Sequence, residues 1–367
     1  MQPNPFTPVF GNEPLVLAGR ETLINDVLGG LENGPGDPNR VTVLTGPRGS
    51  GKTVLLSRIA SEAQGMGWIA VDVLAANGML EEIIDQLERK AAEFLPKKRK
   101  SRLTSVQVSG IGATREFLSD DKPGWRTQMD NYLDLLAEYD VGLLFTIDEI
   151  RADIRDLVTF VSVFQLFIRD RRNVALLMAG LPHEVLPMYQ DRQISFVRRA
   201  FLRKLEPVEM PEVRIAMKKT IELAGRRIEP AALEKSAEST MGLPFMIQLV
   251  GYRMFNQSQK TTITLEDAQA GIKDAGEDME HMILDATLHE STPTEKRFLL
   301  AMLPDEEESK VGDIAKRMGS SLSSTSHYKR RLVDRGVLYD AGRGLVAFSM
   351  PMLKALLIER YGRSVER

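Results

Sequence analysis

The sequence predicts an α/β fold: a parallel β-sheet, then a helical region, then a C-terminal helix-turn-helix with a β-hairpin. Between Leu44 and Gly180, short apolar runs alternate with helical patterns, which is typical of parallel strands connected by helices. A glycine-rich segment directly follows the first apolar run. From about residue 209 the pattern becomes helical throughout, which indicates that the sheet ends before that point.

The glycine-rich segment fits the phosphate-binding P-loop pattern G-x-x-x-x-G-K-[ST] at every fixed position. Its residues are Gly46, Pro47, Arg48, Gly49, Ser50, Gly51, Lys52 and Thr53. We expect their backbone amides to close around a triphosphate, with Lys52 on the β- and γ-phosphates and the Thr53 hydroxyl on Mg²⁺. A β-branched run, 41–45, precedes the loop and a helical pattern follows it. The pattern therefore predicts a P-loop NTPase core that binds ATP or ADP with Mg²⁺.

Hydrolysis needs groups beyond the loop, and a second apolar run supplies candidates. Residues 141–147 read as a strand that ends in Asp148 and Glu149. We expect Asp148 to hold the Mg²⁺ shell together with Thr53, and Glu149 to polarise the attacking water. Lys52, Asp148 and Glu149 are therefore the predicted catalytic residues of the chain's own site.

A fourth catalytic candidate is Arg199, which lies just before a fifth predicted strand. An arginine at this point could reach the γ-phosphate of a neighbouring subunit, as arginine fingers do. The alternative is a basic surface turn. The catalytic interpretation implies self-association, which could depend on the nucleotide.

The remaining sheet elements follow from periodicity. Predicted strands are 41–45, 68–73, 141–147 and 174–179. Predicted helices are 52–63, 78–93, 126–139 and 155–170, then 211–224, 230–240, 244–256 and 265–275. Segment 96–124 interrupts the pattern and could form a small hairpin; its basic run is either a solvated loop or a nucleic-acid contact. A polar linker is expected over about 276–291.

Composition narrows the class of protein. Hydrophobic residues make up 43% of the 367-residue chain and charged residues 27%, which is an ordinary globular balance. The net charge of −3 argues against a protein that binds nucleic acid over its whole surface. With no cysteine, disulfides and Cys-based zinc sites are excluded. The apolar runs are too short to span a bilayer, and the start lacks the pattern of a secretory signal. We therefore expect a cytoplasmic protein without a membrane partner.

The C-terminal part resembles a winged helix-turn-helix in its pattern. Thr292 and Glu295 form a capping-box signature, and helices are predicted over about 293–303, 311–318 and 324–334. A predicted hairpin with Arg343 at its tip makes the wing. The predicted domains are a nucleotide-binding core (1–208), a helical lid (209–278) and the winged helix-turn-helix (292–361).

The third helix of this module has small polar residues followed by basic ones, which suits the major groove of duplex DNA. The predicted DNA contacts are Ser324, Thr325, Ser326, Lys329, Arg330, Arg331 and Arg343. Residues 311–367 carry eleven Lys or Arg against five Asp or Glu, so positive charge is concentrated there. The alternative is a winged helix that contacts protein or packs on the core.

Several short motifs recur in the order of a known family. They are Asn4-Pro5-Phe6, Leu17-Ala18-Gly19-Arg20-Glu21, the P-loop, Ile147-Asp148-Glu149-Ile150, Ala179-Gly180-Leu181-Pro182, Gly242 to Gln248, and Ile263 to Ala268. On these motifs, the chain resembles an AAA+ ATPase of the origin-recognition-like type, most closely the bacterial stand-alone members with a C-terminal winged helix. The likeness spans nearly the whole chain.

The resemblance implies roles for further residues. It places Gly19 and Arg20 near the adenine, Pro244 at the nucleotide and Arg199 at the finger position. Two features depart from the family. The sensor position after the fourth strand falls on Ala179 or Gly180 rather than on a polar residue. The second sensor region lacks arginine, and its Gly-x-Pro form also resembles the STAND class of signalling ATPases. Both departures favour a slow switch over a fast motor.

Three functions remain open at this point. The first is an ATP-binding, slowly hydrolysing switch that binds duplex DNA through its winged helix. The second is a STAND-like signalling or defence ATPase whose winged helix contacts protein and whose nucleotide drives oligomerisation. The third is a DNA-binding regulator whose nucleotide is structural. Glu149 and Arg199 favour the first over the third, because nucleotide storage needs neither residue.

Overall fold

The computed structural model describes residues 3–9, 11–94, 124–190, 195–257 and 260–365. The hairpin expected over 96–124 lies outside the described residues, except for Gly124. The described chain divides into two compact units. One unit contains residues 20–46 and 52–205. The other contains residues 1–19, 47–51 and 206–367.

The first unit is built on a five-stranded parallel sheet with the strand order β2-β3-β4-β1-β5. Its strands are β1 (Val41–Thr45), β2 (Ile69–Leu74), β3 (Leu143–Asp148), β4 (Val174–Gly180) and β5 (Phe201–Lys204). Strands β1, β3 and β4 are buried along their whole length, as expected for a parallel sheet that is covered on both faces. The fold class predicted from alternating apolar runs is confirmed.

Six α-helices accompany the sheet in the described residues of this unit. They are α1 (Glu21–Asn33), α2 (Lys52–Gly65), α3 (Met79–Phe94), α4 (Trp125–Ala137), α5 (Arg155–Arg169) and α6 (Pro182–Gln190). Helix α5 presents Phe160, Phe164 and Phe167 to the sheet, at the spacing of one helical face. The Phe145 ring of β3 packs edge-on against Phe160 at 5.1 Å between centroids. This aromatic core holds β3, and therefore the acids that follow it, in a fixed position.

The second unit contains four helices in the region predicted to be a lid. They are α7 (Met210–Leu223), α8 (Pro230–Ser239), α9 (Pro244–Gln257) and α10 (Leu265–Met279), with a short parallel pair formed by β6 (Arg227–Ile228) and β7 (Thr262–Ile263). Helix α10 begins at a capping box in which Thr264 and Asp267 satisfy each other's backbone amides.

The N-terminal segment is attached to helix α9. Phe6 is 2% exposed, and a Cβ at Gly251 would lie 2.3 Å from its ring, so only glycine fits beside it. The Asn4 side chain donates to the Tyr252 carbonyl and to Asn256 Oδ1, both at 2.9 Å. The Asn-Pro-Phe motif therefore completes the core of the helical region, and neighbouring hydrogen bonds fix its position.

The structure corrects the prediction of a linker over 276–291. Helix α10 continues to Met279, a π-helical turn covers Glu280–Asp285, and α11 (Ala286–Glu290) follows. Met279 and Leu288 are buried in the hydrophobic core of this unit. The polar residues of this segment indicated a linker, but the segment is helical and two of its apolar side chains pack into the core.

The C-terminal module contains α12 (Pro293–Ala301), α13 (Val311–Met318) and α14 (Leu322–Asp334). Its antiparallel sheet has the order β8-β10-β9, with β8 (Ser309–Lys310), β9 (Leu338–Gly342) and β10 (Leu345–Phe348). Arg343 occupies the β9–β10 turn with φ of 50°, between two glycines that also have positive φ. A final helix, α15 (Pro351–Val365), follows the hairpin.

Among the described residues, no helix is both long enough and apolar enough to cross a membrane.

Candidate functional site

The glycine loop has a backbone that only glycine adopts without strain at two positions. Gly49 and Gly51 have φ values of 79° and 87°, in the left-handed region. Between them, Ser50 is 3% exposed and its hydroxyl finds no hydrogen-bond partner in the described chain. The hydroxyl of Thr45, at the end of β1, is also buried without a hydrogen-bond partner in the described chain. A buried hydroxyl without a partner is costly, and a bound anion would remove that cost.

Two oxygen ligands meet beside the loop. Thr53, in the first turn of α2, donates its hydroxyl proton to Asp148 Oδ2 at 2.5 Å. Asp148 ends β3 and is 8% exposed, and its Oδ1 accepts the Glu149 amide at 2.8 Å. Asp148 is therefore held by two neutral donors, which leaves its negative charge for a cation.

This pair fits Mg²⁺ better than other metals. Magnesium is bound through one or two carboxylates plus phosphate oxygens and water, and a hydroxyl beside a carboxylate supplies hard oxygen ligands. No cluster of three or more His, Cys, Asp or Glu side chains that could hold a metal occurs among the described residues. Thr53 and Asp148 would hold the ion, and this assignment stays a prediction.

Lys52 begins helix α2, and its ammonium donates to the Gly46 carbonyl at 2.8 Å. The lysine thus closes the loop by a hydrogen bond to its first residue. The helix N-terminus there adds a positive partial charge. The local arrangement favours an anion next to the Lys52 ammonium.

Glu149 is exposed directly after Asp148 and has a φ of 56°, which is uncommon for a residue with a side chain. The following residue fixes this turn, because the Ile150 amide donates to the Ala179 carbonyl of β4 at 2.9 Å. Ile150 is fully buried. The turn places an exposed carboxylate beside Asp148 at the carboxyl edge of the sheet, where a general base would be needed.

The end of β4 cannot carry a polar sensor at residue 180. A Cβ at Gly180 would lie 2.8 Å from Ile150 Cγ1 and 3.0 Å from the Ile150 carbonyl oxygen. A contact that close to backbone requires the chain to move. The departure noted in the sequence therefore has a packing cause, because the turn that positions Glu149 excludes a side chain at Gly180.

Residues of the helical unit lie against the glycine loop. A Cβ at Gly51 would lie 3.8 Å from Pro244 Cβ, and one at Gly49 would lie 3.8 Å from Phe245 Cβ. Pro244, a predicted nucleotide contact, is thus near the loop. Phe245 belonged to a motif quoted from the sequence but was not predicted as a site residue; its place directly after Pro244 was the available signal.

The two residues predicted to lie near the adenine are Gly19 and Arg20. A Cβ at Gly19, which has a φ of 61°, would lie 2.9 Å from Val208 Cγ1. Gly242 packs on Val208 as well, and its carbonyl accepts the Val208 amide at 2.8 Å. Gly19 is therefore a packing glycine of the helical unit. Arg20 precedes α1 and is half-buried. Contact of either residue with adenine stays a prediction.

Arg199 lies at the opposite edge of the sheet from the glycine loop. It ends a 3-10 turn, Ser195–Arg199, and is exposed. It lines a cavity of about 210 Å³ together with Val41 and Val174, the first residues of β1 and β4. Parallel strands have their amino ends together, so Arg199 cannot reach the nucleotide site at the carboxyl ends of the same sheet. A role on a neighbouring subunit stays a prediction.

The basic helix of the C-terminal module requires a correction. Thr325 is fully buried, and its hydroxyl donates to the Ser321 carbonyl at 2.9 Å. Lys329 forms an ion pair with Asp340 at 2.8 Å, with 14% of its side chain exposed. Arg331 Nε lies 3.1 Å from Oε1 of the fully buried Glu295. Thr325 is therefore excluded as a DNA contact, whereas Lys329 and Arg331 contribute to the stability of the module and their contact with DNA stays a prediction.

Five of the predicted DNA contacts are exposed: Ser324, Ser326, Arg330, Arg331 and Arg343. Three of them, Ser326, Arg330 and Arg343, line a cleft of about 780 Å³ between α14 and the β9–β10 hairpin. Lys310 and the Lys329–Asp340 ion pair also line its walls, and Asp313 adds a second acid. Leu322, 59% exposed, gives the cleft an apolar portion.

Comparisons with known proteins support the fold. Residues 281–357 match a family model described as a domain of unknown function, DUF8462. No curated protein matches the sequence. The Walker-type ATPase PABY2304 of Pyrococcus abyssi matches with a TM-score of 0.59 and 16% identity, over 93% of this chain and 96% of that one. The ORC2 protein of Aeropyrum pernix, in ADPNP-ADP complexes, matches with a TM-score of 0.58 and 15% identity, over 98% of both chains.

Identities this low establish a shared fold. The chain has the fold of an AAA+ P-loop ATPase of the origin-recognition-like type, as the sequence motifs predicted. Its P-loop, Asp148 and Glu149 lie at the edge of the sheet where that fold binds nucleotide.

Proposed function

We propose that the protein is an ATP-binding switch that hydrolyses ATP slowly and binds duplex DNA through its C-terminal module. The contact between Thr53 and Asp148, at 2.5 Å beside the glycine loop, carries the nucleotide part of this proposal. A hydroxyl and a carboxylate in contact after a P-loop form the arrangement that accepts a phosphate-bound magnesium ion. The bound ion would neutralise charge on the phosphates.

Each protein group would then have a separate role in hydrolysis. The loop amides and Lys52 bind the phosphates, and Thr53 and Asp148 orient them through the ion's oxygen shell. Glu149 accepts a proton from the attacking water, because it is exposed beside Asp148 and held there by the strained turn. Arg199, at the amino ends of the strands, would act on the nucleotide of a second copy of the chain. This geometry supports self-association.

Slow turnover is proposed because the position that would carry the first sensor falls on Ala179 or Gly180, neither of which has a polar side chain. The Gly-Leu-Pro-Phe segment at the start of α9 likewise offers no arginine. Without these polar groups, fewer charges stabilise the transition state. The nucleotide would time a change of state, as in a switch.

DNA binding is proposed for the C-terminal module, interpreted as a winged helix-turn-helix. Helices α12 to α14 followed by a β-hairpin support this interpretation. The accessible cations Arg330 and Arg343 face one cleft together with Lys310, and such a group fits a phosphate backbone. The cytoplasmic location expected from the sequence stays a prediction.

A second candidate is the STAND-like function, in which the module contacts protein. The internal ion pairs of Lys329 and Arg331 favour it, because they remove positive charge from the surface that DNA would meet. The exposed Leu322 favours it for the same surface.

The deciding experiment is fluorescence anisotropy of a random-sequence duplex titrated with the protein at several salt concentrations, with ADP and with ATP. Binding that weakens steeply with salt and differs between the nucleotides would support the proposal. Salt-sensitive binding that ignores the nucleotide would instead indicate a regulator with a structural nucleotide. Absence of binding in every state would reject the DNA function and favour a protein partner.

A further inference from the structure

Arg48 projects from the glycine loop onto the C-terminal module. A Cβ at Gly336 would lie 3.2 Å from Nη2 of Arg48 and 3.8 Å from its Cζ. Both residues belong to the same compact unit. Gly336 connects helix α14 to β9, and therefore lies between the helix that carries Arg330 and the hairpin that carries Arg343. We propose that Arg48 couples nucleotide binding to this module; the proposal rests on the nucleotide site proposed above.

The turn that Arg48 touches is a defined helix end. The Gly336 amide donates to the Val333 carbonyl at 2.8 Å, and the Val337 amide donates to the Leu332 carbonyl at 3.0 Å. With the left-handed φ of 69° at Gly336, these bonds form a Schellman motif. A helix C-terminus carries a negative partial charge of about half an elementary unit, so the Arg48 guanidinium is attracted to it.

The same side chain belongs to a loop that would surround phosphates. Arg48 lies between Pro47 and Gly49, within the P-loop pattern. A nucleotide brings several full negative charges, compared with the fractional charge of the helix end. One guanidinium cannot serve both. When a nucleotide binds, Arg48 therefore turns toward the phosphates and leaves the Gly336 turn.

This exchange would link two binding events. Without nucleotide, Arg48 holds the end of α14, the helix that carries Ser324, Ser326 and Arg330. With nucleotide, that restraint is lost and the helix and hairpin can adjust to a partner. Because coupling is reciprocal, a partner of the module changes nucleotide affinity by the same factor. A charge at a helix end sets the size of that factor at about two- to fivefold.

Hydrogen exchange of the full chain, measured by mass spectrometry, tests the contact without DNA. We compare the amides of Gly336 and Val337 in the wild type and in Arg48→Ala, without nucleotide and with a non-hydrolysable ATP analogue. In the nucleotide-free proteins, we expect exchange to be about two- to fivefold faster in the variant. The analogue should speed exchange in the wild type to the rate of the variant, and should leave the variant unchanged.

Arg58→Ala is the matched control. Arg58 is an exposed arginine of α2 that pairs with Glu62, so its removal changes the charge near the loop without touching Gly336. Its exchange should match the wild type in both states. Equal exchange in nucleotide-free wild type and Arg48→Ala would overturn the proposal, as would an equal effect of Arg58→Ala.

Calorimetry of the analogue in the same samples separates this proposal from the nucleotide site itself. If the analogue does not bind, the nucleotide site and the coupling both fail, although the nucleotide-free comparison still decides whether Arg48 holds the turn. Binding of the analogue without any change in wild-type exchange overturns the coupling alone.

Discussion

The nucleotide site and the C-terminal module use charged side chains in opposite ways. In the nucleotide site, Asp148 is held by a hydroxyl and a backbone amide, and Lys52 donates to a carbonyl. In the module, Lys329 pairs with Asp340, and buried Glu295 pairs with Arg331 of α14 and with Arg335 directly after it. Neutral partners position a charge and leave it available to a ligand, whereas ion pairs neutralise it in place. The first region is therefore prepared for binding, and much of the second is committed to its own stability.

The largest effect should come from the lysine of the P-loop. Lys52→Ala removes the ammonium that would meet two phosphates, so ATP affinity should fall by about 1,000-fold. Isothermal titration calorimetry measures this directly. Lys218→Ala, on the exposed face of α7, removes the same charge elsewhere and should bind ATP as the wild type does. Retained ATP affinity in Lys52→Ala would mean that this region is not a nucleotide site.

A second substitution separates binding from turnover in the same region. Glu149→Gln keeps the shape of the side chain but removes the proton acceptor, so the rate of ATP hydrolysis should fall by about 100-fold while ATP affinity stays within about twofold. Phosphate release under single-turnover conditions gives the rate. If hydrolysis is unchanged, another group is the general base. The matched control is Glu138→Gln, an exposed acid just after α4.

In the module, the expected loss is one of stability. Glu295→Gln removes the charge that Arg331 and Arg335 share, at 3.1 Å and 3.5 Å, and should lower the free energy of unfolding by about 1–3 kcal/mol. Urea denaturation measures it. Glu290→Gln removes an exposed acid that pairs with Arg335 alone, and should cost less than about 0.5 kcal/mol. Equal effects would mean that burial of Glu295 does not matter.

The same carboxylate gives stability a dependence on pH. Burial raises the pKa of Glu295, but hydrogen bonds from Thr292 and the charges of Arg331 and Arg335 outweigh burial, so the pKa lies below its ordinary value of 4.5. A depressed pKa adds stability above the unfolded value, and that stability is lost as the pH falls through the folded pKa. The difference between wild type and Glu295→Gln should therefore shrink below about pH 4.5, as urea midpoints across pH 3–7 would report.

The smallest effect should distinguish accessible cations from paired ones. Removing two phosphate contacts with Arg330→Ala and Arg343→Ala should lower the salt dependence of duplex binding by about two. The matched double variant, Lys329→Ala with Arg331→Ala, should leave that slope within about 0.5 and lower stability instead. Anisotropy titrations over a range of salt provide both slopes. Equal slopes for the two pairs would remove the contrast between the cations.

The sequence predicted the nucleotide region well because its signals are local. The P-loop pattern fixes residue types at set spacings, and the run before Asp148 fixes a buried strand. In the module, the capping box of Thr292 and Glu295 is equally local and forms as predicted. Whether Lys329 and Arg331 form ion pairs depends on Asp340 and Glu295, which lie on other elements. A list of basic residues on one helix does not say which acids lie opposite it.

Packing across long sequence distances explains the remaining differences. Segment 276–291 was expected to be a linker, because its polar residues are visible in the sequence and its contacts with distant apolar residues are not. The contact of Arg48 with Gly336 has no local signal of any kind. By contrast, the glycine at position 180 could be recognised as a departure from the family, although its cause, the nearby Ile150, required the structure.

The attachment of Asn4 and Phe6 to helix α9 also sets an order of events during synthesis. Asn4 and its partner Asn256 are 252 residues apart in the chain. At a typical rate of about 5–20 residues per second, the ribosome needs roughly 13–50 s to make that interval. The Phe6 side chain therefore has no helix α9 to pack against while the residues of the parallel sheet are being translated. A chaperone that shields exposed aromatic side chains would find its target in this segment during that time.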